Sequence, residues 1–218
     1  MSSWARFIAS RTAADPHLKL NAIFARLFAL ALALGAIPGA ALLHAQDLPA
    51  GLTARLVACG ACHGVDGNAP LRETPSLAGQ PVVFLENQMV LIREGIREIA
   101  LMKGALEGVT DADITALARH YARQALKPPT PSRDAALFAK GEKLAEQNRC
   151  GSCHLPSYAG REQMPRLAAQ REDFLLHSMR QFASNQAVGR DTLMAASLHG
   201  LSDPDLVAIA HYLSRIGP

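Results

Sequence analysis

Apolar positions along this chain repeat with the spacing of helices, and the pattern itself recurs. Leu85, Met89 and Ile92 fall at i, i+4 and i+7 on one helical face, and Leu175, Met179 and Phe182 repeat the series 90 residues later. Ile114, Leu117, Ala118 and Tyr121 form a second face, repeated by Leu206, Ile209, Ala210 and Leu213 at an offset of 92. A capping box precedes each of these later helices: Thr110-Asp-Ala-Asp113 and Ser202-Asp-Pro-Asp205, a hydroxyl with an acid three residues on. Pro204 falls in the first turn, where its missing N–H does little harm. No stretch alternates with the period of a strand. The pattern predicts an all-α fold built from two copies of one helical unit.

Between the copies lies Lys127-Pro-Pro-Thr-Pro131, whose three prolines predict a stiff, extended linker. Ahead of the first copy, Leu27 to Ile37 is an uncharged apolar run of eleven behind a basic stretch. Pro38 and Gly39 end it, and small residues follow to Ala45. That is the layout of a secretory signal peptide, with cleavage expected after Ala45. A membrane span needs roughly 20 apolar residues; an uncleaved leader would instead tether the chain to a membrane. The expected organisation is a leader over 1–45, a first domain over 46–126, the linker over 127–131 and a second domain over 132–218.

Composition sharpens this picture. Hydrophobic residues make up 49% and charged residues 19% of 218, which excludes a disordered or collagen-like chain. The net charge of +3 sits in the leader; beyond residue 45 the balance is 18 basic against 18 acidic groups. That neutrality argues against nucleic acid as a partner. Aromatics are only 5%, scant filling for two cores of roughly 85 residues each.

The four cysteines supply the chemistry. Cys59-Gly-Ala-Cys-His63 recurs as Cys150-Gly-Ser-Cys-His154 at an offset of 91. On a helix, positions i, i+3 and i+4 share a face. Two sulfurs then form thioethers to a porphyrin while the imidazole reaches its iron, so the motifs read as two covalent c-type haems. Such tethered groups would also provide the bulk that the aromatics do not. A structural zinc site needs four protein ligands, and each motif offers three. A thioredoxin-like pair needs a βαβ context that is missing. A disulfide closing so short a loop adds little stability.

The second axial ligand decides the function, because histidine plus methionine closes the iron and an open position permits catalysis. Met102 lies 39 residues after His63, Met194 lies 40 after His154, and each precedes its capping-box acid, Asp111 or Asp203, by nine. These are the expected axial pairs. Met89 and Met179 lie on the apolar helical faces and read as core. Met164 has no counterpart, Thr74 standing in its place. His120, His177, His199 and His211 do not recur between copies and read as surface or packing residues.

At this point each half resembles a class I cytochrome c domain. The tandem resembles the dihaem cytochrome c4 family, over about residues 48–216. The resemblance rests on the haem motifs, on His63-Gly-Val-Asp-Gly67, and on Pro75-Ser-Leu-Ala-Gly-Gln80 with its repeat Pro165-Arg-Leu-Ala-Ala-Gln170. It implies two domains, each clasping one haem, and periplasmic electron transfer between redox proteins, such as from a cytochrome bc complex to a terminal oxidase. It also implies that the carbonyls of Pro75 and Pro165 hold the haem histidines by their other ring nitrogen. The copies depart from each other at Gly51 and Gly141, eight and nine residues before their first cysteines, and at His154-Leu-Pro-Ser against His63-Gly-Val-Asp. A dihaem enzyme such as a peroxidase needs a displaceable ligand, whereas both halves here offer a methionine. A fixed cytochrome subunit of a dehydrogenase or oxidase complex is the other alternative to a free carrier.

Overall fold

The repeat folds into two sets of helices, each around its own core. The computed structural model describes residues 50–218; the leader lies outside the described residues. The first half comprises α1 (Ala50–His63), α2 (Val82–Arg93), a 3-10 turn (Ala100–Met102) and α3 (Asp111–Ala122). The second comprises α4 (Ala135–Gln147), α5 (Cys150–His154), α6 (Glu172–Ala183), α7 (Thr192–Ser197) and α8 (Asp203–Leu213). Among the described residues there is no strand, only an isolated bridge between Arg161 and Met164. No helix among them is long and apolar enough to cross a membrane.

The predicted caps form. Asp113 N–H donates to Thr110 Oγ1 at 3.2 Å and Thr110 N–H to the Asp113 carboxylate at 3.0 Å. Ser202 N–H donates to Asp205 at 3.1 Å. Asp205 also pairs with Lys140 of α4 at 2.8 Å, so the cap of α8 ties the two helices together. Lys140 and the Ser202 hydroxyl and N–H hold its carboxyl down at about 2. A depressed folded-state pKa brings stability that is complete above the ordinary carboxylate range and drains as pH falls toward the folded value. In acid titrations followed by far-UV ellipticity, Asp205→Asn is expected to be less stable than the parent at neutral pH. The difference should shrink between about pH 4 and pH 2. A difference independent of pH would show that the carboxylate does not carry the contact.

The second core gathers Leu175, Met179, Leu198, Leu206, Ile209, Leu213, Tyr158 and Tyr212, with Phe138 edge-on to Tyr212 at 5.1 Å. Gly141 lets α4 and α8 cross closely, since a Cβ there would run into the Ala208 carbonyl and lie 2.7 Å from Tyr212 Cβ. The first half holds two smaller clusters, Leu52, Leu106, Val109, Ile114 and Leu117 in one, and Leu85, Ala118 and Tyr121 in the other. The apolar faces read from the sequence are the ones that line these cores.

The mismatch between the copies has a structural cause. In the first half the motif Cys59–His63 is the last turn of one continuous helix, α1. In the second the chain breaks first: Arg149 adopts a left-handed conformation (φ 54°), and Cys150–His154 forms its own short helix. The glycines differ as well: Gly141 is buried against α8, whereas Gly51 is exposed. Beyond the motifs the copies agree again. Leu77 and Ala78 N–H donate to Gly67 O, and Leu167 and Ala168 N–H donate to Tyr158 O. Gly79 N–H reaches Tyr121 O, and Ala169 N–H reaches Leu213 O. Each loop is thereby pinned to the last helix of its half.

Candidate haem sites

In each half one helical turn presents the two thiols and the imidazole together. Cys59 and Cys150 are half-buried, Cys62 and Cys153 are exposed, and none is paired in a disulfide. Burial pushes the Cys59 and Cys150 thiols above their ordinary range. His63 and His154 are buried, at 8% and 6% exposure.

A single contact fixes each imidazole. His63 Nδ1 lies 2.9 Å from Pro75 O, and His154 Nδ1 lies 2.8 Å from Pro165 O. A carbonyl only accepts, so both Nδ1 atoms carry the proton. Burial lowers the pKa of both rings, more than the proline carbonyls raise it. A neutral ring protonated at Nδ1 keeps its lone pair on Nε2, the state a metal-binding histidine needs. Gly67 permits the approach of the proline loop in the first half: its φ is 73°, and a Cβ would lie 2.9 Å from Ala78 N.

Met89 and Met179 pack in the cores, as their positions on the apolar faces predict. Met179 is buried in the second core, and Met89 packs against both clusters of the first. Met102 closes the 3-10 turn, and Met194 lies in α7, whose first turn is capped by Asp191; both are half-buried. Among the other histidines, His211 is buried between Ser132 Oγ (2.7 Å) and Glu172 (3.1 Å), holding the start of the second half to α6. His120 bonds Gln124.

Two groups singled out by the structure went unread in the sequence. Arg97 Nη1 donates to Gln88 Oε1. Arg190 donates to Gln181 at 2.7 Å and Ser178 at 3.2 Å, and lies over the Phe182 ring. Neither has a carboxylate partner among the described residues. Burial, and then the like charge of Arg190, lowers Arg97 to about 10, and burial lowers Arg190. Two neighbouring cations without a counter-ion, one from each half, suit the propionates of a haem. With the thiols and neutral imidazoles, the residues present fit the group. Among the described residues no cluster of histidine, cysteine and carboxylate side chains suits a bare metal ion.

Comparison with known proteins agrees. The family model for cytochrome c matches residues 138–216. Cytochrome c4 of Pseudomonas aeruginosa is 33% identical over 185 residues, covering 80% of this chain and 92% of its own. The thiosulfate dehydrogenase electron acceptor of Thiomonas intermedia is 31% identical over 169 residues, 72% of this chain and 77% of its own. The crystal structure of reduced cytochrome c4 from Pseudomonas stutzeri superposes with a TM-score of 0.70 at 28% identity, covering 76% of this chain and 97% of that one. The fold and sites define a dihaem electron-transfer cytochrome, two tandem class I cytochrome c units with two covalent haem c groups. The chain belongs to the cytochrome c4 family.

Proposed function

We propose that the protein is an exported, periplasmic electron carrier that runs between respiratory complexes, such as a cytochrome bc complex and a terminal oxidase. Its haem domains are 46–126 and 132–218, joined by 127–131, after removal of the leader 1–45. When bound, each haem supplies a reversible one-electron couple. Cys59, Cys62, Cys150 and Cys153 would tether the groups, and His63, Met102, His154 and Met194 would supply the protein ligands to the irons. The observation that carries the reading is the matched pair of buried, neutral imidazoles aimed by the carbonyls of Pro75 and Pro165. A methionine ligand paired with each histidine would leave no position for substrate, and the chain's own work would be to tune and shield.

A second reading is supported by the similarity to a thiosulfate dehydrogenase electron acceptor: a dedicated electron-accepting partner of one dehydrogenase. One experiment separates them. Purified ferric protein is mixed with respiratory membranes carrying a reduced bc complex, under stopped flow. Rapid reduction, followed by reoxidation through the oxidase, is expected for the carrier. Inertness toward the membranes, with reduction only by a co-purifying dehydrogenase, would favour the second reading.

A further inference from the structure

The two halves meet through a reciprocal pair of side-chain clamps. Gln170 Oε1 accepts from Ser76 N–H at 2.8 Å, and Gln170 Nε2 donates to Ser76 O at 2.9 Å. In the opposite direction, Gln80 Oε1 accepts from Arg166 N–H at 2.9 Å and Gln80 Nε2 donates to Arg166 O at 3.1 Å. Ser76 and Arg166 are equivalent positions of the repeat, as are Gln80 and Gln170. All four residues are buried, none above 6% exposed. An amide gripping both backbone groups of one residue fixes its position and orientation more firmly than a single bond would.

The gripped residue sits one bond from the haem ligand's support. The N–H of Ser76 and the carbonyl of Pro75 belong to one peptide group, and that carbonyl faces His63 Nδ1. A continuous chain therefore runs from Gln170 of the second half, through the Pro75–Ser76 peptide, to His63 of the first. Its mirror image runs from Gln80, through the Pro165–Arg166 peptide, to His154. A peptide whose N–H is engaged is a stronger acceptor at its carbonyl, because hydrogen bonds in series polarise one another. A stronger acceptor on Nδ1 makes the imidazole more electron-rich and fixes its ring plane. Both effects favour the ferric state.

We propose that Gln80 and Gln170 are crossed positioning residues, each setting the haem-ligand histidine of the opposite half. The inference rests on the reading of His63 and His154 as ligands. Docking of the halves then does more than hold them together: each half completes the other's redox site, and a disturbance of the interface is felt at both.

The test uses the complete two-haem protein, with Gln170→Met and Gln80→Met, which keep side-chain length and remove both polar atoms. The potential of each haem is followed separately by paramagnetic NMR during a redox titration, alongside amide exchange at Ser76 and Arg166. Gln170→Met is expected to raise the potential of the haem on Cys59 and Cys62 more than that of the other, and to speed exchange of the Ser76 amide about tenfold. Gln80→Met should do the same to the haem on Cys150 and Cys153 and to the Arg166 amide. Gln170→Glu retains an acceptor for Ser76 N–H. It should restore Ser76 protection and place the first haem's potential at or below that of the parent. The proposal is overturned if each methionine variant moves the haem of its own half, or if both potentials stay put while Ser76 and Arg166 lose protection. His63→Ala separates the underlying reading. If that variant leaves the first haem's low-spin spectrum unchanged, His63 is no ligand and the proposal falls with that assignment.

Discussion

Cys59→Ala combined with Cys62→Ala is expected to halve the covalent haem, from two groups per chain to one. The two thiols are the only tether for the first group, since the remaining cysteines lie in the second motif. The consequence for folding should be uneven. Among the described residues the first half splits its buried apolar residues between two small clusters, whereas the second gathers them in one. A small unit with a divided core depends more on its staple. The variant should therefore lose ordered structure in the first half while the second keeps its haem. Haem-stained gels and intact mass would read the first effect, and limited proteolysis the second, with early cuts within 50–126. The converse pair, Cys150→Ala with Cys153→Ala, should cost the same haem but leave more of its half resistant. Equal proteolytic sensitivity of the two halves would show that the division of the core does not decide the dependence.

Met102→Ala and Met194→Ala are each expected to remove about half of the ferric methionine-to-iron charge-transfer band, and the double variant all of it. The affected haem should also fall in potential, because a thioether ligand raises it relative to the alternatives. Met89→Leu and Met179→Leu should leave the band intact, since both side chains are spent on packing. Those two substitutions change shape at nearly constant volume and should cost less than about 1.5 kcal/mol of stability. Loss of the band in Met89→Leu would reverse the assignment of ligand and core methionines.

Much of this was legible in the residues. The helical faces at Leu85 and Leu175, the capping boxes and the two cysteine motifs are local patterns, and local geometry decides them. The support of His63 and His154 by Pro75 and Pro165 came from family resemblance, because no spacing rule places a carbonyl against a ring eleven or twelve residues away. The clamps of Gln80 and Gln170 were visible only as a repeated letter. Their partners lie 86 and 94 residues away in the chain, and only the packing of one half on the other joins them. Arg97 and Arg190 escaped for the same reason: a lone arginine reads as surface until its neighbours are seen to include no acid. The one-residue slip before the second motif was countable in sequence, but not that the helix would break there with Arg149 left-handed.

Both irons are expected to be closed, so that the chain carries electrons without substrate chemistry. An anaerobic reductive titration of the purified protein under carbon monoxide tests this most directly. It should take up two electrons per chain, remain low-spin in both oxidation states, and bind no carbon monoxide when reduced. A high-spin ferric fraction, or stoichiometric binding of carbon monoxide at either haem, would reveal an open position and contradict a purely electron-carrying role.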